Sequence, residues 1–462
     1  MVYGPSAALG TLAMIGSDQL VNALGKLVKR SPADATSVCA EAGTRRVMRF
    51  AYEAVHQDLV QESLTVYIKV ISNKRMGVAS TNLLDRASLQ RGLDAALEIA
   101  RHAPPIAQVP QLPKGYELRT TEDYLPATIN VPPKQLVDAL KRLFQLTKGA
   151  GAQLAGSMAL CEDERAVANS RGLACYSAST VAGAKLVAMY KGLSGFASGV
   201  HREFERLDLE TLLARALKQT LHRKQAVTLP HGTYDVILEP EAVAELVMWL
   251  GFIAFGAKSF QERTSCLAGR MGEQLTSSRI TISDDANDPA GLRMPFDFEG
   301  VPAQKVLLID RGKAAGIVYD TTYGAMYGQP STGHALPPDD IEGPLPTHLL
   351  LEAGDTPKET IIRSCKRAIL IPRFHYVSGL LNPRETLMTG LTREGACLIE
   401  HGKRTAPVAT MRFTQNFLEA LEHVIGISKE RELIADPAQD AGSAVMPTMH
   451  LAKFRFTGSS DG

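Results

Sequence analysis

Apolar and polar positions recur with two different periods along this chain, and the periods predict its elements. The run Leu64 to Ser72 (LTVYIKVIS) is rich in β-branched residues and broadly alternates, which predicts a half-buried strand. Between Ser88 and His102, Leu89, Leu93, Ala96, Leu97 and Ile99 fall mainly on one face of a helix, and Pro104 and Pro105 stop it. Residues 104–133 read as a proline-rich connector. A second helix is expected over about Lys134 to Lys148, followed by two short apolar segments joined at Asn169-Ser170-Arg171-Gly172, where Asn and Gly tolerate the positive φ of a turn. Leu173 to Tyr190 reads as extended chain and Leu207 to His222 as a closing helix.

The pattern changes near residue 225. Pro230 and Gly232 mark a break, Tyr234 to Leu238 (YDVIL) opens a new strand, and a strongly apolar helix runs from about Glu241 to Phe255. In that helix Val243, Leu246, Val247, Leu250 and Ile253 bury one face while Met248, Trp249 and Phe252 cover much of the rest, so it is enclosed on nearly all sides. Beyond Ser278 the chain becomes mostly β. Leu307 to Lys313 (LLIDRGK) and Cys397 to Lys403 (CLIEHGK) repeat one device, an apolar strand, a polar step, Gly and a basic residue, and both predict hairpins. The expected fold is α+β, with a mixed α/β domain over 1–224 and a mainly β domain over 225–462.

Composition narrows the classes. The 50 Lys+Arg against 49 Asp+Glu leave a formal charge of +1, so no global field favours nucleic acid or an anionic membrane face. Met1 to Ser17 is apolar but lacks a basic n-region, and the longest uncharged apolar run, Leu246 to Ala257, is well short of the roughly 20 residues a spanning helix needs. A cytoplasmic protein is therefore expected. Six cysteines without any CxxC are expected to be reduced, mostly buried thiols.

The search for chemistry returns weak signals. No two of the eleven histidines lie three to five residues apart, so the two-His zinc helix is missing. His201-Arg202-Glu203-Phe204-Glu205 reads as a solvated charged run, and Gly192-Leu193-Ser194-Gly195 misses the nucleophile-elbow spacing. Gly149-Ala150-Gly151 follows a helix rather than a strand, which argues against a dinucleotide loop. Asp284-Asp285 with Asp288 is friendly to a hard cation, yet Asn287, Pro289, Ala290 and Gly291 make it a loop in which Asp caps turns.

A set of ordered segments resembles one family. Ser265 to Gln274 (SCLAGRMGEQ), Ile282-Ser283-Asp284-Asp285, Pro295 to Pro302 (PFDFEGVP) and Pro330-Ser331-Thr332-Gly333 resemble TldD/PmbA proteins, once described as modulators of DNA gyrase and now understood as peptidase subunits. Arg49-Phe50-Ala51 with His56-Gln57, Ala79 to Asn82 and Asn169 to Gly172 extend the resemblance over most of the chain. The family has TldD-like subunits with an HExxxH zinc helix and a distant Cys ligand, and TldE (PmbA)-like subunits without them. Counted back from Ser265 without gaps, the first His, the Glu and the second His would fall at Met248, Trp249 and Ile253, all apolar here, and no Cys follows Cys397.

The resemblance implies a non-catalytic, TldE-like subunit with no metal of its own. Zinc would lie in a TldD-like partner of a heterodimer, and this chain would help form the cavity that binds unfolded or precursor peptides. Two other readings stay open: a divergent amide-bond-cleaving enzyme of specialised metabolism, and a regulatory binding protein. For the peptide, two glycine-containing polar stretches suggest a groove that pairs with extended backbone: Ser331, Thr332, Gly333 and His334, and Thr389, Gly390 and Arg393. Ordinary tight turns are the alternative for both.

Overall fold

The computed structural model describes residues 14–220, 225–438 and 442–459. The first half builds a seven-stranded sheet from β1 (Ala35–Ala51), β2 (Ala54–Ser72), β3 (Arg75–Thr81), β4 (Glu117–Asp123), β5 (Gln153–Asn169), β6 (Ala174–Tyr190) and β7 (Leu193–His201). The order is β3-β2-β1-β5-β6-β4, and β7 shares with β4 the outer edge of β6. Five helices accompany it: α1 (Ser17–Val28), α2 (Arg86–His102), α3 (Pro126–Ile129), α4 (Pro133–Gly149) and α5 (Leu209–Thr220). The expected helices over 88–102 and 134–148 are present, and the 104–133 connector proves to carry β4 and α3. The expected closing helix ends at Thr220. Residues 221–222 lie outside the described residues, as do Met1 to Ala13, and the expected division at 224/225 adjoins the same segment.

Strand alternation decides what each face of this sheet does. Even-numbered residues of β1, β2, β5 and β6, among them Val38, Ile68, Leu160 and Leu186, pack under Leu20, Leu24 and Leu93 at one end and Leu140, Leu143 and Leu213 at the other. All the long helices therefore lie on one face. Odd-numbered residues turn the other way, and there Cys39, Val167 and Cys175 pack against Phe296 and Phe298 of the second half. Because side chains alternate with period two, one register serves both the helical layer and the contact with the second half.

The second half is a 13-stranded sheet: β8 (Gly232–Leu238), β9 (Ile282–Asp284), β10 (Val306–Asp310), β11 (Lys313–Ala314), β12 (His348–Leu351), β13 (Arg367–Ile371), β14 (Phe374–Asn382), β15 (Leu387–Thr392), β16 (Cys397–Glu400), β17 (Lys403–Pro407), β18 (Met411–Asn416), β19 (Val424–Ile434) and β20 (Ser443–Ser459). The long β20 is its spine, pairing with β8, β12, β18 and β19. Both predicted hairpins form: Arg311 and Gly312 (φ 45° and 78°) turn β10 into β11, and His401 and Gly402 (φ 48° and 75°) turn β16 into β17. Positive φ at both central residues is the type I′ geometry that matches strand twist.

Helices are also present: α6 (Pro240–Ala254), α7 (Ala257–Gln261), α8 (Thr321–Tyr327), α9 (Lys358–Ser364) and α10 (Phe417–Glu422). The α6 residues Val243, Leu246, Val247, Leu250 and Ile253 are buried in the main core with Met446, Met449 and Leu451 of β20. All six cysteines are buried and unbridged, as expected. Among the described residues no helix is long and apolar enough to cross a membrane.

Candidate functional site between the two sheets

The odd face of the first sheet does not close completely on the second half. A cavity of about 670 Å³ remains between them, within the range of small-ligand sites. One wall is Glu41, Tyr67, Asp163, Arg165, Ser177 and Ser179 from the sheet; the other is Met248 and Phe252 of α6, the 292–298 segment, His334 to Pro337 and Leu345 to Leu349. Met248 and Phe252 are one helical turn apart, so both reach the cavity. Trp249 and Ile253 lie on the neighbouring face, against Gly379 of β14.

A ring of polar contacts fixes the walls. Asp123 pairs with Arg202 (3.1 Å) and Arg293 (3.0 Å), and Arg202 donates to the Gly291 carbonyl (2.7 Å), tying β4 to the second half at one end. The 201–205 run is thus no solvated charge run: Arg202 is a clamp and Phe204 is buried. Arg165 pairs with Glu41 (3.0 Å), covers the Phe298 ring (3.7 Å to its centre) and points Nη1 at Met294 Sδ (2.9 Å). At the other side Lys69 forms a buried ion pair with Glu299. Glu299 also accepts from the Thr321 backbone N–H (2.8 Å) and hydroxyl (2.7 Å). Asp297 accepts N–H groups from Glu299, Val301 and Ala335, each at 2.9 Å, so the Pro295–Pro302 segment is held as a rigid plug.

The polar centre of the second wall is a buried carboxylate. Asp284, fully buried in β9, accepts from His334 Nε2 (2.9 Å) and from the His348 backbone N–H (2.6 Å). Burial alone would raise its pKa, but the His334 hydrogen bond and charge outweigh this and hold it below the usual carboxylate range. His334 Nδ1 meets Thr332 O and Oγ1, both at 2.9 Å, so both ring nitrogens are engaged. His348 Nδ1 meets Thr347 Oγ1 (2.9 Å), and burial pushes the His348 ring below its ordinary pKa, against the pull of Asp284. Asp285 and Asp288 cap turns through the N–H groups of Asn287 and Ala290, as the sequence suggests. Asp284 is different, since it lies in the strand rather than the loop.

The expected peptide-binding residues are scattered. His334 lines the cavity. Ser331 and Thr332 give their hydroxyls to the Tyr319 carbonyl, and Gly333 (φ 76°) packs over Pro302. Thr389 and Gly390 lie in β15, which is hydrogen-bonded on both sides, to β14 and β18, and so offers no free edge. Thr389 Oγ1 donates to Phe413 O, and Arg393 pairs with Glu394 (3.0 Å). Sequence reasoning missed Glu41, Lys69, Arg165 and His348. The available signal was charge at alternate positions of apolar strands, Glu41 in β1, Lys69 in β2 and Arg165 in β5. Among the described residues no group of three or more His, Cys, Asp or Glu is arranged to hold a metal ion.

Comparison with known proteins adds a family. Residues 231–458 match the model of the PmbA/TldA metallopeptidase C-terminal domain. A metalloprotease TldD homolog of Haemophilus influenzae is 28% identical over 228 residues, which are 47% of this chain and 45% of that protein. A metalloprotease of Methanothermobacter thermautotrophicus is 24% identical over 236 residues, half of each chain. The chain thus spans about half the length of these curated relatives. The crystal structure of TldE from Thermococcus kodakarensis superposes with a TM-score of 0.84 at 23% identity, covering 95% of this chain and 100% of that one. That likeness shows the fold.

Proposed function

Since the chain belongs to the PmbA/TldD family through its C-terminal domain, we propose that it is a non-catalytic, TldE-like subunit of a heterodimeric zinc metallopeptidase. A TldD-like partner supplies the zinc and its activated water, and the cavity between the two sheets helps to hold an unfolded or precursor peptide. The observation that carries this reading is α6. At Met248, Trp249 and Ile253, the positions where resemblance places HExxxH, the helix has apolar side chains, and the latter two pack on β14. Whatever activity the TldD homolog and the metalloprotease have belongs to those proteins, and it reaches this chain only through the proposal.

A partner surface is also available. β14 pairs only with β15 among the described strands, and along it Tyr376 (77% exposed), Leu380 (59%) and Leu381 (54%) face outward. Exposed apolar side chains on a sheet edge are the usual ground for association. The mainly β half is therefore expected to carry the larger interface, on the order of 2,000 Å² or more for an obligate contact. Coexpression with an HExxxH-bearing relative, followed by affinity purification, light scattering and elemental analysis, tests the reading. A 1:1 complex with zinc and peptidase activity that neither chain shows alone is expected. A chain that stays monomeric beside that relative at micromolar concentration overturns it.

A further inference from the structure

We infer that His348 and Arg165 form a recognition site, inside the cavity, for the carboxylate of a ligand with an apolar body. The inference deepens the reading of the cavity as a ligand site and is independent of the subunit role.

His348 is 7% exposed and lines the cavity; Nδ1 is taken by Thr347, and Nε2 has no partner among the described residues. As part of a cavity-lining residue, that nitrogen is available to a group bound in the cavity. Across the cavity, Arg165 is close enough that its positive charge weighs against protonating His348. Its guanidinium is incompletely met. Nε is buried without a hydrogen-bond partner, and Nη1 points at the Met294 thioether, a weak acceptor that a carboxylate oxygen would replace.

Two donors from opposite walls thus line the same cavity. Glu41 is held by Arg165, Asp163 lies beside Arg45 and Asp123 is held by two arginines, so these acidic groups of the first wall are already compensated. An anion brings the oxygen that both His348 Nε2 and Arg165 lack. The Thr347 hydroxyl, by donating to Nδ1, would leave the proton on Nε2 and make His348 a donor without charging it. Met248 and Phe252 then give the apolar part of the ligand its contact surface.

The test uses the full chain, purified alone, titrated calorimetrically with N-acetyl-leucyl-leucine and with its C-terminal amide. The free acid is expected to bind at least about tenfold more tightly than the amide, the scale of one charge-assisted hydrogen bond. His348→Asn, which keeps an acceptor for Thr347 but removes Nε2, is expected to abolish that preference. Equal binding of acid and amide, no binding of the acid at millimolar concentration, or a preference that survives His348→Asn would each overturn the inference. If the variant folds poorly, the acid-to-amide comparison on the unsubstituted chain decides alone. Failure to copurify with a zinc-bearing relative would overturn the subunit reading and leave this result standing.

Discussion

Lys69 and Glu299 form a buried ion pair that joins the inner face of the first sheet to the plug of the second half, with side chains 8% and 5% exposed. The Lys69 ammonium also lies among Asp297 and Asp320, so one positive charge serves three carboxyl groups. Lys69→Met is expected to destabilise the fold by about 3–5 kcal/mol, because it leaves Glu299 charged and unpaired away from water. Chemical denaturation followed by near-UV circular dichroism measures this. An effect below about 1 kcal/mol, the range of exposed pairs, would show that water reaches the pair.

Glu241 should make stability depend on pH. Burial at the start of α6 pushes its carboxyl up to about 7, Arg373 and Lys185 oppose this, and Ser198 Oγ donates to it. In the unfolded chain a Glu titrates at about 4.3. Between these values the folded state binds more protons, so this contribution is complete below the unfolded pKa and is lost as pH rises through about 7. Glu241→Gln is expected to change little at low pH and to stabilise by about 1–2 kcal/mol at pH 8, discounted because the residue is partly exposed. Melting curves across that range check the sign, and a variant equally stabilised at both ends would contradict it.

The two glycines of the expected groove should report on packing instead. At Gly333 (φ 76°) an added Cβ would lie 2.4 Å from Pro302 O, and at Gly390 it would lie 2.6 Å from the Phe413 ring. Alanine at 333 meets both strain and backbone, whereas at 390 it meets a ring that can shift. Gly333→Ala should therefore cost more than Gly390→Ala, each on the order of 1–3 kcal/mol. Thermal unfolding compares the two, and the reverse ranking would count against the argument.

Installing a metal helix should fail. The triple variant Met248→His, Trp249→Glu, Ile253→His places only its first imidazole at the cavity, while the other two polar groups enter the packing against Gly379. Burying them unpaired costs several kcal/mol. Elemental analysis is expected to find less than stoichiometric zinc, and calorimetry a lowered melting temperature. One tightly held zinc per chain would show that α6 can rotate to bring all three together.

What the sequence determined by itself was local. The apolar face of α2, the enclosed α6, the Arg311-Gly312 and His401-Gly402 turns and the buried thiols all follow from neighbours within a few positions, where period and turn chemistry act. The resemblance named the family, and the two-sheet α+β architecture agreed with it. Tertiary structure decided the cavity. His348 and Arg165 line one cavity from positions 183 residues apart in sequence, as Lys69 meets Glu299 from 230 away, and no local period encodes such distances. The same applies to Thr389 and Gly390: a polar, glycine-containing stretch looks alike as a free edge or as an interior strand, and only the arrival of β18 on its second side settled which it was. A charge within an apolar strand signals that the residue must find a partner at long range, but which partner it finds is chosen by how two sheets pack.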